Sequence, residues 1–150
     1  RCRTQPQQRG DHRLKLEVKM AQKTTPAAVI AGDEADYRRL GVQPGSVEPW
    51  EDGARTDNRR GTYEWWYFDA HLDDGATLVV AFMNKDLAAP QKPLEPLIRL
   101  NLDLPDGGTF EKLVTFPAES WSAATDHADV RIAGNRFTGD LHTYRITATL

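Results

Sequence analysis

Apolar and polar positions alternate with a period of two through most of the chain beyond residue 61. Residues 97–104 are the cleanest case: Ile98, Leu100, Leu102 and Leu104 are separated by Arg99, Asn101 and Asp103, which predicts a strand with its leucine face inward. Pro105-Asp106-Gly107-Gly108 turns it into a second strand over 109–116. Further short strands are predicted over 128–133, then 136–138 after a Gly134-Asn135 turn, and finally 143–150. In the last of these, Tyr144, Ile146, Ala148 and Leu150 alternate with Thr143, Arg145, Thr147 and Thr149. A helical pattern is confined to residues 33–40, with Asp33 as N-cap and Gly41 as terminator. Successive hairpins without a long helix predict an all-β antiparallel barrel or sandwich.

The densest chemistry lies in residues 61–85. Tyr63, Trp65, Trp66, Tyr67 and Phe68 crowd one strand, followed by Asp69 and His71. Asp74-Gly75 then suits a two-residue type I′ turn into the apolar run 76–83. That turn pairs Leu72 with Thr77 and His71 with Leu78. It places Tyr63, Trp65, Tyr67, Asp69 and His71 on one face beside Val80 and Phe82. The other face then carries Trp66, Phe68 and Met83, with Glu64 opposite Lys85 as a cross-strand ion pair. Rings dotted with polar tips read as the wall of a ligand cavity, and the opposite face reads as packing. Both faces are apolar enough to predict cover on both sides.

The remainder is organised around this hairpin. Residues 1–28 read as a disordered basic tail, since 1–23 hold seven Lys/Arg against two Asp/Glu. Residues 29–60 read as an extended lead-in with a short helix and a buried anchor at Trp50. Pro90, Pro93 and Pro96 mark a loop over 86–96. Residues 61–150 form the β-domain. With 19 basic and 22 acidic residues overall, the body is acidic once the tail is set aside, which argues against nucleic acid as a partner.

Cys2 is the single cysteine, so a disulfide framework or a cysteine nucleophile in the body is excluded. His127 and His142 sit near turns without companion ligands, and neither a metal nor a cofactor is expected. No secretory h-region appears, and no apolar run approaches the ~20 residues of a membrane helix. A cytoplasmic protein without stable membrane insertion is the expectation. Alternation runs to Leu150, and such an open edge predicts a partner strand or further chain.

Pro49-Trp50-Glu51-Asp52-Gly53-Ala54-Arg55, then Glu64-Trp65-Trp66-Tyr67-Phe68-Asp69 with its Asp-Gly turn, then Lys85, and finally residues 128–137 together resemble the lipocalin-like carotenoid 1,2-hydratase (hydroxyneurosporene synthase) family over about 44–150. The resemblance implies a lipocalin-like barrel, the first of two, with a second lipocalin-like domain missing from this chain. It also implies an apolar small-molecule ligand. Relatives include hydratases acting on carotenoids and, more distantly, Diels–Alder-type cyclases.

Hydrating an isoprenoid double bond needs a proton donor and a surface that tolerates a carbocation. A carboxylic acid in an apolar pocket stays protonated near neutrality, and ring faces stabilise cations. Asp69 is the candidate donor and His71 the candidate water-orienting group. Trp65, Tyr67, Val80 and Phe82 are the candidate ligand-lining residues. Structural readings stand beside each: Asp69 as a backbone acceptor, His71 as a satisfied strand histidine. Three functions stay open: a hydratase or cyclase, a non-catalytic carrier, and an exposed sugar-binding platform. Burial separates the last, because a sugar platform leaves its rings wet.

Overall fold

The computed structural model describes residues 30–150, so the tail expected over 1–28, Cys2 included, lies outside the described residues. Helix α1 (Glu34–Leu40) forms where its caps predict. Asp33 Oδ1 accepts the Asp36 N–H at 2.9 Å, and Gly41, at φ +73°, returns its own N–H to the Tyr37 carbonyl. A 3-10 turn, Pro49–Asp52, follows.

Two four-stranded antiparallel sheets make up the remainder. The first is the meander β1 (Trp65–His71), β2 (Thr77–Met83), β3 (Leu97–Asp103) and β4 (Thr109–Thr115). The second is β5 (Trp121–Ala123), β6 (Ala128–Ile132), β7 (Asn135–Gly139) and β8 (Tyr144–Thr147). Among the described residues no strand of one sheet pairs with a strand of the other, so β1 and β8 each lie at a sheet edge. No helix among them is long and apolar enough to cross a membrane.

The core lies between the sheets. Trp66, Val80, Phe82 and Ile98 from the first meet Ala128, Val130, Ile132 and Phe137 from the second. The Phe82 and Phe137 rings meet edge-on with centroids 5.9 Å apart, and Trp66 and Trp121 are equally close. Trp66 Nε1 donates to the Asp52 carbonyl at 2.7 Å, which pins the 3-10 turn against β1. Gly53 is buried there, and a Cβ on it would run into the Thr125 carbonyl.

The hairpin register differs from the sequence expectation by one residue. His71 faces Thr77, Ala70 faces Leu78, and Trp65 faces Met83. The loop is Asp73-Asp74-Gly75, three residues long. Leu72 and Ala76 close it, with the Gly75 N–H bonded to the Leu72 carbonyl and Gly75 at φ +88°. This is a type I turn followed by a glycine bulge rather than a two-residue type I′ turn. Asp74 favours it because Oδ1 accepts the Ala76 N–H at 3.0 Å. A one-residue slip exchanges the neighbours of every side chain. Val80 and Phe82 therefore lie in the core beside Trp66 and Phe68, not beside Trp65 and Tyr67.

The second hairpin departs in a smaller way. Ala133-Gly134 makes the turn, with Ala133 at φ +53°, and Asn135 already belongs to β7. Strand β5 and the two 3-10 turns, at 49–52 and 118–120, carry no periodic signal, being four residues long or less.

Candidate functional site

Cross-strand partners share a face, so the register lays out the exposed side of the first sheet as four rows. From β1 to β4 these are Trp65, Met83, Leu97, Thr115; then Tyr67, Ala81, Arg99, Leu113; then Asp69, Val79, Asn101, Glu111; then His71, Thr77, Asp103, Thr109. Polarity rises steadily from the first row to the last. Ala81, Met83 and Leu97 are buried and pack as a small cluster of their own, separate from the inter-sheet core. Trp65 and Tyr67 are each 50% exposed, with ring centroids 6.1 Å apart and planes tilted by 39°. Leu87 and Asp86, from the loop after β2, complete a groove of about 480 Å³ over the first two rows that reaches Val79 and Asn101 in the third.

Among the described residues this face is covered only in part, and the rings of Trp65 and Tyr67 stand half in water. Asp69 and His71 share the face with Trp65 and Tyr67 but occupy the polar rows and are exposed. The groove's charged members have clear engagements. Arg99 Nε donates to Asn101 Oδ1 at 3.0 Å, and Asn101 Nδ2 donates to Glu111 Oε1 at 2.6 Å. Asp86 Oδ1 accepts the N–H of Ala88 at 2.8 Å. Sequence reasoning missed Arg99 and Asn101, because in a single strand they read as an ordinary solvated face. Only the neighbouring strands reveal what they adjoin.

A second hollow, of about 280 Å³, opens at the seam between the β1 edge and the second sheet. Trp66, Phe68 and Phe137 form its apolar walls, with Asp52, Glu64 and Tyr144 at its polar side. The Tyr144 phenol donates to the Asp52 carboxylate. That bond, helped by burial, pushes the phenol up to about 12. Asp52 and Tyr144 are 92 residues apart, and no local pattern couples them. Nearby, the Arg55 guanidinium lies 3.9 Å from the centroid of the half-buried Trp50 ring.

Glu64 and Lys85 are not paired. Glu64 faces Asn84, so Lys85 projects from the opposite side of the hairpin. The Glu64 carboxylate instead accepts the Arg55 N–H at 2.6 Å, the Thr56 N–H at 3.1 Å and the Thr56 hydroxyl at 3.0 Å. Lys85, 1% exposed, donates from Nζ to the Arg59 carbonyl at 2.6 Å. Asn84 accepts the Glu64 N–H at 2.6 Å and donates to Asn58 at 2.8 Å. The three side chains together fasten residues 55–59 to the hairpin. Their role is to hold the lead-in, a task that a two-strand reading of residues 61–85 does not reveal.

Among the described residues no three His, Cys, Asp or Glu side chains converge as metal ligands. Compared with models of known families, with curated proteins and with solved structures, the chain matches none.

Proposed function

We propose that this domain binds an apolar small molecule along the exposed face of its first sheet, within a lipocalin-like architecture. One observation carries the reading: the half-exposed rings of Trp65 and Tyr67 stand over an apolar floor of Ala81, Met83 and Leu97. Contiguous apolar surface of this kind marks binding sites. The inter-sheet space is filled by Trp66, Val80, Phe82 and Phe137, so the outer groove offers the room that the core does not. The lipocalin-like part of the proposal draws on two antiparallel four-stranded sheets enclosing one core and on the Glu-Trp-Trp-Tyr strand.

Hydration of an isoprenoid double bond is an added step in this proposal. Its support is that Asp69 follows Tyr67 by one row on the same face, with His71 beyond it. A ligand lying over the rings would end near these groups. Binding needs only the groove, whereas hydration needs the ligand itself to exclude water from Asp69.

The exposure of the two rings also favours the sugar-platform reading, because sugars stack on wet aromatic faces. Titration of the full chain with all-trans-retinol and with a cello-oligosaccharide separates the two. Retinol is expected to bind, with Trp65→Ala and Tyr67→Ala each weakening it by ~10- to 100-fold, the worth of one large apolar contact. Asp69→Asn is expected to leave binding intact and to abolish any hydrated product. Oligosaccharide binding without retinol binding would replace the apolar reading. Retinol binding indifferent to both ring substitutions would move the site elsewhere.

A further inference from the structure

We infer that the molecule occupying this groove is an amphiphile, an apolar body ending in a carboxylate, with Arg99 as the anchor for its head. The inference rests on the apolar-ligand reading and adds the chemistry of one end. Arg99 occupies the second row, directly beside Ala81 and Leu113 and one strand beyond Tyr67's partner. It is the cation of a groove otherwise lined mainly by apolar groups.

Its geometry is set by a relay. Asn101 takes the Nε–H at 3.0 Å and is itself held by Glu111 at 2.6 Å. With Nε engaged, the terminal Nη groups keep their N–H donors for another acceptor, and no carboxylate of the described residues forms an ion pair with them. A guanidinium presents these donors in a plane that matches a carboxylate, and such charge-assisted pairs are the stronger class of hydrogen bond. The groove's own acid, Asp86, is turned to the Ala88 N–H in the loop and does not fill the position. A ligand whose body covers Trp65, Met83 and Leu97 and whose head reaches the second row thus meets a positive charge where the apolar floor gives way to polar rows.

Calorimetric titration of the full chain with three matched probes below their micelle concentrations tests this: decanoate, 1-decanol and decylammonium. Decanoate is expected to bind about tenfold or more tighter than decanol, as one charge-assisted pair implies. Arg99→Gln is expected to remove that advantage and leave decanol unchanged. Arg99→Lys, which keeps the charge but loses the fork, is expected to fall between. Decanoate affinity should also drop with added salt while decanol affinity holds. Equal binding of decanoate and decanol, or a decanoate preference that survives Arg99→Gln, overturns the assignment while leaving apolar binding in place. Preference for decylammonium overturns it in favour of the neighbouring carboxylates. Failure of all three probes to bind defeats the underlying apolar reading, and this assignment with it.

Discussion

Tyr144 shows how one side chain joins parts of the molecule that the sequence keeps apart. Its phenol donates to Asp52 in the 3-10 turn, and its ring meets Phe137 edge-on at 5.9 Å. Since the folded phenol is raised to about 12, its contribution to stability is fully present below the ordinary phenol value near 10 and is lost as pH rises from there through about 12. Phenolate absorbance should therefore show one tyrosine ionising late. Tyr144→Phe should abolish that late phase, and Asp52→Asn should move it back toward about 10. Absence of that late phase from the unsubstituted protein would deny the bond. Lys85 and Glu64 teach the same lesson in another form, because each found a backbone partner rather than the other.

At the scale of the element, the β6–β7 hairpin is clamped from its exposed side. Asp129 accepts from Arg131 at 3.1 Å and from Arg136 at 2.9 Å, and these two guanidinium bonds hold its carboxyl far below the usual range. A lowered carboxyl stabilises above the unfolded value of about 4 and loses its contribution as pH falls below it. Asp129→Asn should lower stability at neutral pH and flatten its decline on acidification. Thermal melts of both proteins at about pH 7 and about pH 3 measure this. A difference between them that is unchanged at low pH would show that the clamp does not act through charge.

Much of this level was legible beforehand. Helix α1 follows from Asp33 and Gly41, and the strands at 97–103, 109–115 and 128–132 follow from alternation. The loop length at Asp73-Asp74-Gly75 was not, because an Asp-Gly pair serves two-residue and three-residue loops alike. That ambiguity of one residue decided which side chains accompany Trp65 and Tyr67. The rings themselves, with Asp69 and His71, were found on one face because they share a strand and its parity is indifferent to register. Arg99 escaped notice because its significance comes from β2 and β4.

For the molecule as a whole, stability depends on two sheets that, among the described residues, are joined by packing rather than by strand pairing. Phe82 is 0% exposed and touches Phe137 across the gap. Phe82→Ala should cost ~3–5 kcal/mol, because the vacated space is bounded by strands of both sheets and cannot readily collapse. Denaturant titration followed by tryptophan fluorescence and by far-ultraviolet dichroism should show one coincident, weakened transition. Separate transitions for the two probes would mean that the sheets unfold independently.

The three-residue loop between β1 and β2 has a consequence for how such a surface changes over generations. Point substitutions on β1 alter one contact at a time, and each leaves the rest of the face as it was. A change in the pairing register is of another kind, since it would re-pair seven residues with seven at once. It would place Val80 and Phe82 beside the rings and turn Ala81 and Met83 toward Trp66. The buried face thus guards the exposed one: Trp66, Val80 and Phe82, by holding the register from the core side, also fix which side chains accompany Trp65 and Tyr67.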